Sequence, residues 1–569
     1  MRRLLAYRIL VLQRLRTSEW QRTLLWASAI GVLGALATIG FRESLLLTER
    51  LLYGRSDGLV HIAGGLVWWL RLIAPALGGV VAGAVLMWAR RVAAGSPGGD
   101  YMESVAIGDG HLGVRSSCLR ALSSAATVAS GGAIGREGSM VQLAALTGSV
   151  VGRWSKAPVP RRKLMVACGA AAGLATAYTA PMAGALFVAE ILLGTLAVES
   201  LGPLLIASVA ANVTAGLLVG NNPVSRMPPV VLPNSGWPTV LLALLGIVAG
   251  LGAPLYLWIL DRAHIVYRRW KAPLWLKLGS GGLIVGAVSV FNPGVWGNGY
   301  SVVNSILQGG WLAPALVAVL VAKIVGVAAT TGSGAVGGIF TPTLFMGAVV
   351  GALYGMAVHA LLPGTVPASA SIAIGMGAFL AACTHAPLTS VLMIFEMTEN
   401  YGVVVPLMLA CMLGYYVSRV LRTKSIYAAS ANVSAPVPAL RVAQDLLHEE
   451  GATIAPGSTL AELEAVFLKY RWKHVYLVDA DGRFLGAIAL HDLAPLVNAQ
   501  TRHDQPWPES IVLRDYPRVQ LTTPVWQVLE TFATHAGERL PVLDTDGRLR
   551  GHVTKTDLVL MFRERLAVA

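Results

Sequence analysis

Apolar residues recur in long stretches from about residue 24 to residue 420. Four of these are long enough to cross a hydrocarbon core: Leu24–Phe41, Val240–Leu260, Leu312–Thr331, and Val403–Val417 with its flanks. Others are broken. Ala121–Val151 is interrupted by Gly131-Gly-Ala-Ile-Gly-Arg-Glu-Gly138, and Leu164–Leu193 is cut at Ala180-Pro181. Similar breaks fall at Gly332–Pro342 and at Ala386-Pro387. Hydrocarbon offers a loosened backbone no hydrogen-bond partner, so each break must be buried in protein or line a wet cavity.

The breaks repeat. Gly132-Ala-Ile-Gly135 matches Gly334-Ala-Val-Gly337. Pro181 follows Gly132 by 49 residues and Pro387 follows Gly334 by 53. Glu190 and Glu396 each lie nine residues beyond their proline. Interrupted spans at corresponding places in two halves predict a midplane site between two repeats. Residues 1–430 are therefore expected to form an all-α polytopic membrane domain with broken helices in two inverted repeats.

The remainder repeats differently. Val478-Asp-Ala-Asp-Gly-Arg-Phe-Leu-Gly486 with Asp492-Leu493 recurs 65 residues later as Leu543-Asp-Thr-Asp-Gly-Arg-Leu-Arg-Gly551 with Asp557-Leu558. Each unit reads as strand, Asp-Gly turn, strand and a helix opened by the second aspartate. Helical pieces precede them near Leu460–Leu468 and Val525–Thr534. Two α/β modules are predicted at 431–498 and 499–569, with Ser430–Pro438 and Ala499–Pro508 as linkers.

Charge follows the same division. Residues 1–430 carry 30 Lys+Arg and 13 Asp+Glu, whereas residues 431–569 carry 14 and 17. The overall charge of +14 thus sits in the apolar part, where the positive-inside rule places it, and does not point to nucleic acid. Arg419, Arg422 and Lys424 after the last apolar stretch predict a cytoplasmic C-terminus. No cleavable signal is read at the start. Arg8, Arg14, Arg16 and Arg22 predict a cytoplasmic N-terminal helix at the membrane surface. Cys118, Cys168, Cys383 and Cys411 lie in apolar runs without metal-ligand spacing and read as buried hydrophobes. No Walker loop, HExxH or GxSxG pattern supplies enzyme chemistry.

The breaks also suggest what passes. The 13 acidic residues of the first part form no cation cage. Glycine-rich turns that precede apolar helices expose backbone N–H groups at the positive end of a helix dipole. Such groups hold a small anion and still let it leave. Glu137, inside Gly135-Arg136-Glu137-Gly138, can occupy the same amide-lined place as an anion and swing away when protonated. The plainer alternative is an ion pair with Arg136.

Gly135-Arg136-Glu137-Gly138 resembles the GREGP signature of the ClC chloride channels and H⁺/Cl⁻ exchangers, with Ser139 in place of the proline. Gly338-Ile339-Phe340-Thr341-Pro342 is similar to their GxFxP signature. Tyr427 matches the tyrosine that ends their pathway, and the tail resembles a CBS pair. Trp296-Gly-Asn-Gly-Tyr300 and Thr384-His-Ala-Pro387 look most like the bacterial B-type branch. The resemblance implies about eighteen helices, a homodimer with one pore per subunit, and a bacterial inner membrane location. It implies Glu137 as the gate, the amides of Ile339 and Phe340 as anion donors, and the Tyr427 hydroxyl as a donor from the cytoplasmic side. Gly135, Arg136, Gly138 and Gly338 would complete the turns.

Two departures bear on mechanism. Where the family presents GSGIP with a serine ligand, the matching segment is taken as Gly108-Asp109-Gly110-His111-Leu112. Either Asp109 points elsewhere, or it is neutral, or the local alignment is shifted. The exchangers' internal glutamate falls on Ile191, which cannot relay a proton. This favours a gated chloride channel. An H⁺/Cl⁻ antiporter that uses Glu190 or water is the alternative, against the plainer reading of Glu190, with its twin Glu396, as a satisfied helix carboxylate. His385 reads as a packed core residue.

CBS pairs commonly hold adenine nucleotides, and the resemblance places ribose contacts at Thr554 and Asp557. The first module keeps Asp492 but has Ala489 in place of the Ser or Thr. A CBS-gated divalent-cation transporter is the rival from another class. It requires acidic residues along the spans. A membrane-anchored nucleotide sensor requires no broken repeats.

Overall fold

The computed structural model describes residues 19–92, 99–106, 108–220, 236–427, 442–498, 504–535 and 537–558. The N-terminal stretch with Arg8, Arg14 and Arg16, the linker Ser430–Pro438 and the first part of the second linker lie outside them. The chain divides into two units, Met1–Val433 and Ser434–Ala569.

The first unit is helical. Among the described residues its α-helices run α1 Glu19–Tyr53, α2 Leu59–Gly65, α3 Trp68–Val92, α4 Tyr101–Ala106, α5 Val114–Ala129, α6 Glu137–Trp154, α7 Val159–Tyr178, α8 Pro181–Phe187, α9 Val198–Val219, α10 Gly236–Arg269, α11 Leu274–Phe291, α12 Tyr300–Gln308, α13 Ala313–Gly332, α14 Phe340–Leu361, α15 Ala368–Thr384, α16 Pro387–Thr398 and α17 Val404–Leu421. Among the described residues eight helices are long and apolar enough to span. The four spans read from the sequence coincide with α1, α10, α13 and α17, two of them starting one residue before the helix.

The two repeats coincide down to the backbone. Thr179 and His385 both end a helix in the left-handed region, at φ 52° and 59°. Ala180 and Ala386 follow at φ −129° and −127°, and Pro181 and Pro387 then open α8 and α16. Proline suits a first helical position, because its missing N–H would have had no partner there. The core is built from small residues, so helices approach to backbone contact. A Cβ on Gly148 or Gly169 would strike the facing backbone between α6 and α7, and one on Gly347 or Gly375 would do so between α14 and α15. Large apolar side chains such as Leu217, Trp258 and Phe291 are left on the outside, where lipid covers them.

The second unit is α/β. A four-stranded sheet has order β1 Thr453–Ile454, β2 His474–Val478, β3 Phe484–Ala489, β4 Val512–Leu513. A three-stranded sheet has order β5 Val519–Gln520, β6 Arg539–Leu543, β7 Leu549–Thr554. In each module a parallel edge pair joins an antiparallel hairpin, as the 65-residue repeat requires. The Asp-Gly turns close with Asp479 N–H to Arg483 O and Asp544 N–H to Arg548 O, both at 3.0 Å. Helices Leu460–Tyr470 and Val525–Thr534 match the predicted pieces.

Candidate anion pathway

The two glycine turns meet. Gly135 N–H donates to Gly338 O at 2.8 Å and Gly338 N–H donates to Gly135 O at 2.7 Å, an antiparallel bridge between the repeats. This needs glycine on both sides. A Cβ on Gly138 would lie 2.9 Å from the backbone of Gly337 and Gly338, and one on Gly135 would collide with the Glu137 carboxylate. The bridge also corrects an expectation. The amides of Gly135 and Gly338 satisfy each other and are not free to hold an anion. Free N–H groups remain in the first turns of α6 and α14, at Gly138, Ile339 and Phe340, which have no carbonyl within their helix to bond.

Glu137 sits between the turns at the first position of α6, 4% exposed. Its Oε1 accepts from Asn298 Nδ2 at 3.1 Å, and its Oε2 has no partner. No ion pair joins Glu137 to Arg136. The Arg136 side chain belongs to a separate small cavity with Glu49 and Asn298. The loop that carries Asn298 is pinned from beneath by Lys323, a fully buried cation on α13. Its Nζ donates to Val295 O at 2.9 Å and to Gly297 O at 2.6 Å. The Trp296–Tyr300 segment is thus the clasp of the glutamate.

Below the turns lies a cavity of about 600 Å³. Glu137, Gly138, Gly338, Ile339, Phe340 and Tyr427 all line it, so residues from the starts of α6 and α14 and from the end of the unit converge there. Tyr427 is set by its neighbour: Ile426 N–H donates to Cys383 O at 2.9 Å. Its ring meets Phe187 edge-on at 5.5 Å, and Phe187 in turn meets Phe340 at 5.8 Å. Ser139, the residue that departs from the family signature, lines the same cavity. It is 2% exposed and its Oγ has no partner. A buried hydroxyl without a partner is costly unless a transient ligand accepts its hydrogen bond.

The segment Gly108-Asp109-Gly110 is not at this cavity. Asp109 is half exposed, with Oδ2 on Arg162 Nη2 at 2.8 Å and Oδ1 accepting from His111 N–H at 2.9 Å. Of the three possibilities, the first describes the structure: Asp109 points elsewhere. The cavity wall is supplied instead by Asp100, Tyr101 and Met102, at the start of α4. Sequence reasoning missed them because the segment keeps no GSGIP spacing.

Glu190 is not a free carboxylate. It accepts from Thr389 N–H at 2.9 Å and Thr389 Oγ1 at 2.7 Å, capping α16. Glu396 accepts from Met182 and Ala183 N–H at 2.9 and 2.8 Å, capping α8. The repeats cap each other reciprocally, so Glu190 is a satisfied helix carboxylate like its twin Glu396. Ile191 is a half-buried part of the apolar core. His385 ends α15 and stands edge-on to Tyr415 at 5.8 Å, away from the cavity lining. No cluster of His, Cys, Asp and Glu able to hold a metal occurs among the described residues.

In the α/β unit, Thr554 and Asp557 line a cleft of about 570 Å³ with His448, Trp472, Arg539 and His552. Asp557 Oδ2 accepts from Thr554 Oγ1 at 2.6 Å, Thr554 N–H at 2.9 Å and His448 Nε2 at 3.0 Å. Burial works against its charge, yet these hydrogen bonds hold its carboxyl below the ordinary value. His552 stacks on His448 at 5.2 Å and is pushed down to about 4, by burial first and by Arg539 and His448 after it. Asp492 lies outside this cleft, beside His491 at 3.4 Å.

Comparison with known proteins identifies the scaffold. The pattern of the family described as voltage gated chloride channel matches residues 78–419, and that of the CBS domain matches 443–498 and 509–564. A protein of Ralstonia nicotianae described as ClcB-like is 50% identical over 407 residues, 71% of this chain and 95% of that one. The voltage-gated ClC-type chloride channel ClcB of Citrobacter koseri is 44% identical over 413 residues, 71% of this chain and 98% of its own. The crystal structure of a slow cyanobacterial Cl⁻/H⁺ antiporter is similar with a TM-score of 0.64 at 24% identity, covering 72% of this chain and 97% of that one. A eukaryotic CLC transporter gives 0.60 at 18% identity, covering 94% and 98%, and both structures speak to the fold alone. Relatives alike over nearly their whole length leave a single assignment, and the chain belongs to the voltage-gated chloride channel, or ClC, family and carries a pair of CBS domains.

Proposed function

We propose that the chain is a gated chloride channel of the bacterial inner membrane, and that Glu137 closes its pathway by standing where the anion would stand. One observation carries this reading. A buried carboxylate lies at the amide-rich junction of two helix starts, with one oxygen clasped by Asn298 and the other without a partner. Repulsion by an arriving anion, or protonation, releases it. Chloride then meets the first-turn amides of Gly138, Ile339 and Phe340, the Ser139 hydroxyl, and the Tyr427 hydroxyl at the cytoplasmic end. Ile191 in place of a proton-relaying glutamate, and Glu190 engaged as a cap, favour passive conduction over H⁺/Cl⁻ antiport. A chloride gradient imposed on proteoliposomes is expected to move no protons uphill; uphill movement would establish the antiporter instead. The protein acts as a homodimer, with both termini cytoplasmic.

Ser139→Ala tests the cavity directly. A hydrogen bond to a charged ligand is worth about 1.5–3 kcal/mol, so chloride binding measured by calorimetry should weaken about tenfold or more. Unchanged affinity removes Ser139 from the site.

The CBS pair is a regulatory module that takes an adenine nucleotide in the cleft, with Asp557 and Thr554 receiving the ribose. ATP, ADP or AMP should raise the melting temperature of the full-length protein, and Asp557→Ala should abolish the rise. If none of the three shifts it, the module is structural.

A further inference from the structure

The cavity contains a second carboxylate that this reading does not use. Asp100 lines it together with Glu137 and Tyr427. It directly precedes α4, and its carbonyl accepts from Ser104 N–H at 2.9 Å. Its carboxylate faces the first amides of that helix, those of Tyr101 and Met102. The Tyr101 amide also donates to Gln142 Oε1 at 2.9 Å. The chain's own oxygens therefore occupy this helix start, and an anion finds a negative side chain there in place of a donor. The charged and titratable groups that share the cavity lining with Asp100 are Arg120 on α5, Arg90 on α3, Glu137 on α6, His264 on α10 and Tyr427, and Glu103 stands on its own helix beside Gly99. Arg120 is the cation that offsets its charge most directly.

A fixed anion in the wall of an anion pathway opposes conduction, and it does so only while ionised. We propose that Asp100 is a second proton-binding site of this pathway: ionised it repels chloride from the cavity, and protonated, from water on the Tyr427 side, it lets chloride pass. The inference rests on the anion-pathway reading above. It gives the chain an acid-opened inner checkpoint distinct from Glu137.

The test separates the two carboxylates. Chloride efflux is measured from proteoliposomes holding the full-length protein, at equal internal and external pH between 7.5 and 4.5, in a Glu137→Gln background. That single variant should still gain about tenfold in rate on acidification, the order that one unit charge imposes in a partly hydrated cavity. Glu137→Gln combined with Asp100→Asn should already run at the higher rate at pH 7.5 and show no further rise, and Asp100→Ser should behave alike. Chloride titration in detergent should show about tenfold tighter binding for Asp100→Asn at pH 7.5. A double variant that keeps the acid rise, or a flat profile in Glu137→Gln with His264→Gln, overturns the assignment. Absence of chloride efflux from the wild type and from Glu137→Gln would instead overturn the anion pathway itself.

Discussion

Glu137→Gln should raise chloride flux through the reconstituted protein about tenfold at pH 7.5 and leave only the part of its acid response that Asp100 carries. Glutamine keeps the shape of the side chain and can still accept from Asn298. It lacks the charge that makes the carboxylate a competitor for the first-turn amides. Replacing a charge-assisted contact by a neutral one removes about 1–1.5 kcal/mol, which corresponds to roughly tenfold in the closed-to-open ratio. Glu137→Ala should go at least as far, because nothing then enters the space between the turns. Efflux with a chloride electrode reads the result. Flux and pH profile unchanged in both variants would deny Glu137 the gate. The rivals, a divalent-cation transporter and a nucleotide sensor with inert helices, predict no chloride flux to change.

Lys323→Met should be the most damaging single change away from the cavity. The side chain is completely buried, and its ammonium satisfies two loop carbonyls, Val295 O and Gly297 O. It also rests 5.5 Å above the Phe345 ring, where a cation is favoured. Methionine fills a similar volume but donates nothing, so two buried carbonyls lose their partner at about 1–3 kcal/mol each. The loop then no longer holds Asn298 against Glu137. The apparent melting temperature in detergent should fall, and the remaining folded protein should conduct with a weakened gate. Lys323→Gln, which keeps a donor, should fall between the two. A Lys323→Met protein as stable and as tightly gated as the wild type would show that the loop stands unaided.

Both predictions turn on contacts between distant parts of the chain, and this marks what could be read early. Glu137 and the glycine turns were visible because their chemistry is local, and Tyr427 through the family resemblance alone. A carboxylate among glycines in an apolar stretch stands out in any alignment of the two halves. The reciprocal prolines and glutamates were visible for the same reason. Asn298 was noticed only as part of a segment, and Lys323 gave no signal, since a lysine in an apolar run reads as a snorkelling or loop residue. Asp109 was misplaced because glycines flank it. The chain had put its cavity-lining carboxylate nine residues earlier, outside any recognisable spacing.

The order of apolar stretches and their interruptions determined by itself that the chain is a two-repeat membrane protein with an α/β tail. Hydrocarbon permits few other uses for such a pattern. Only the tertiary structure decided which amides are free and which carboxylates are tied. Gly135 and Gly338 bond each other across 203 residues, and Glu190 and Glu396 each cap a helix of the opposite repeat. Periodicity reports what a residue's neighbours in sequence require. Whether a buried polar group has a partner depends on a surface that arrives from the other half of the fold.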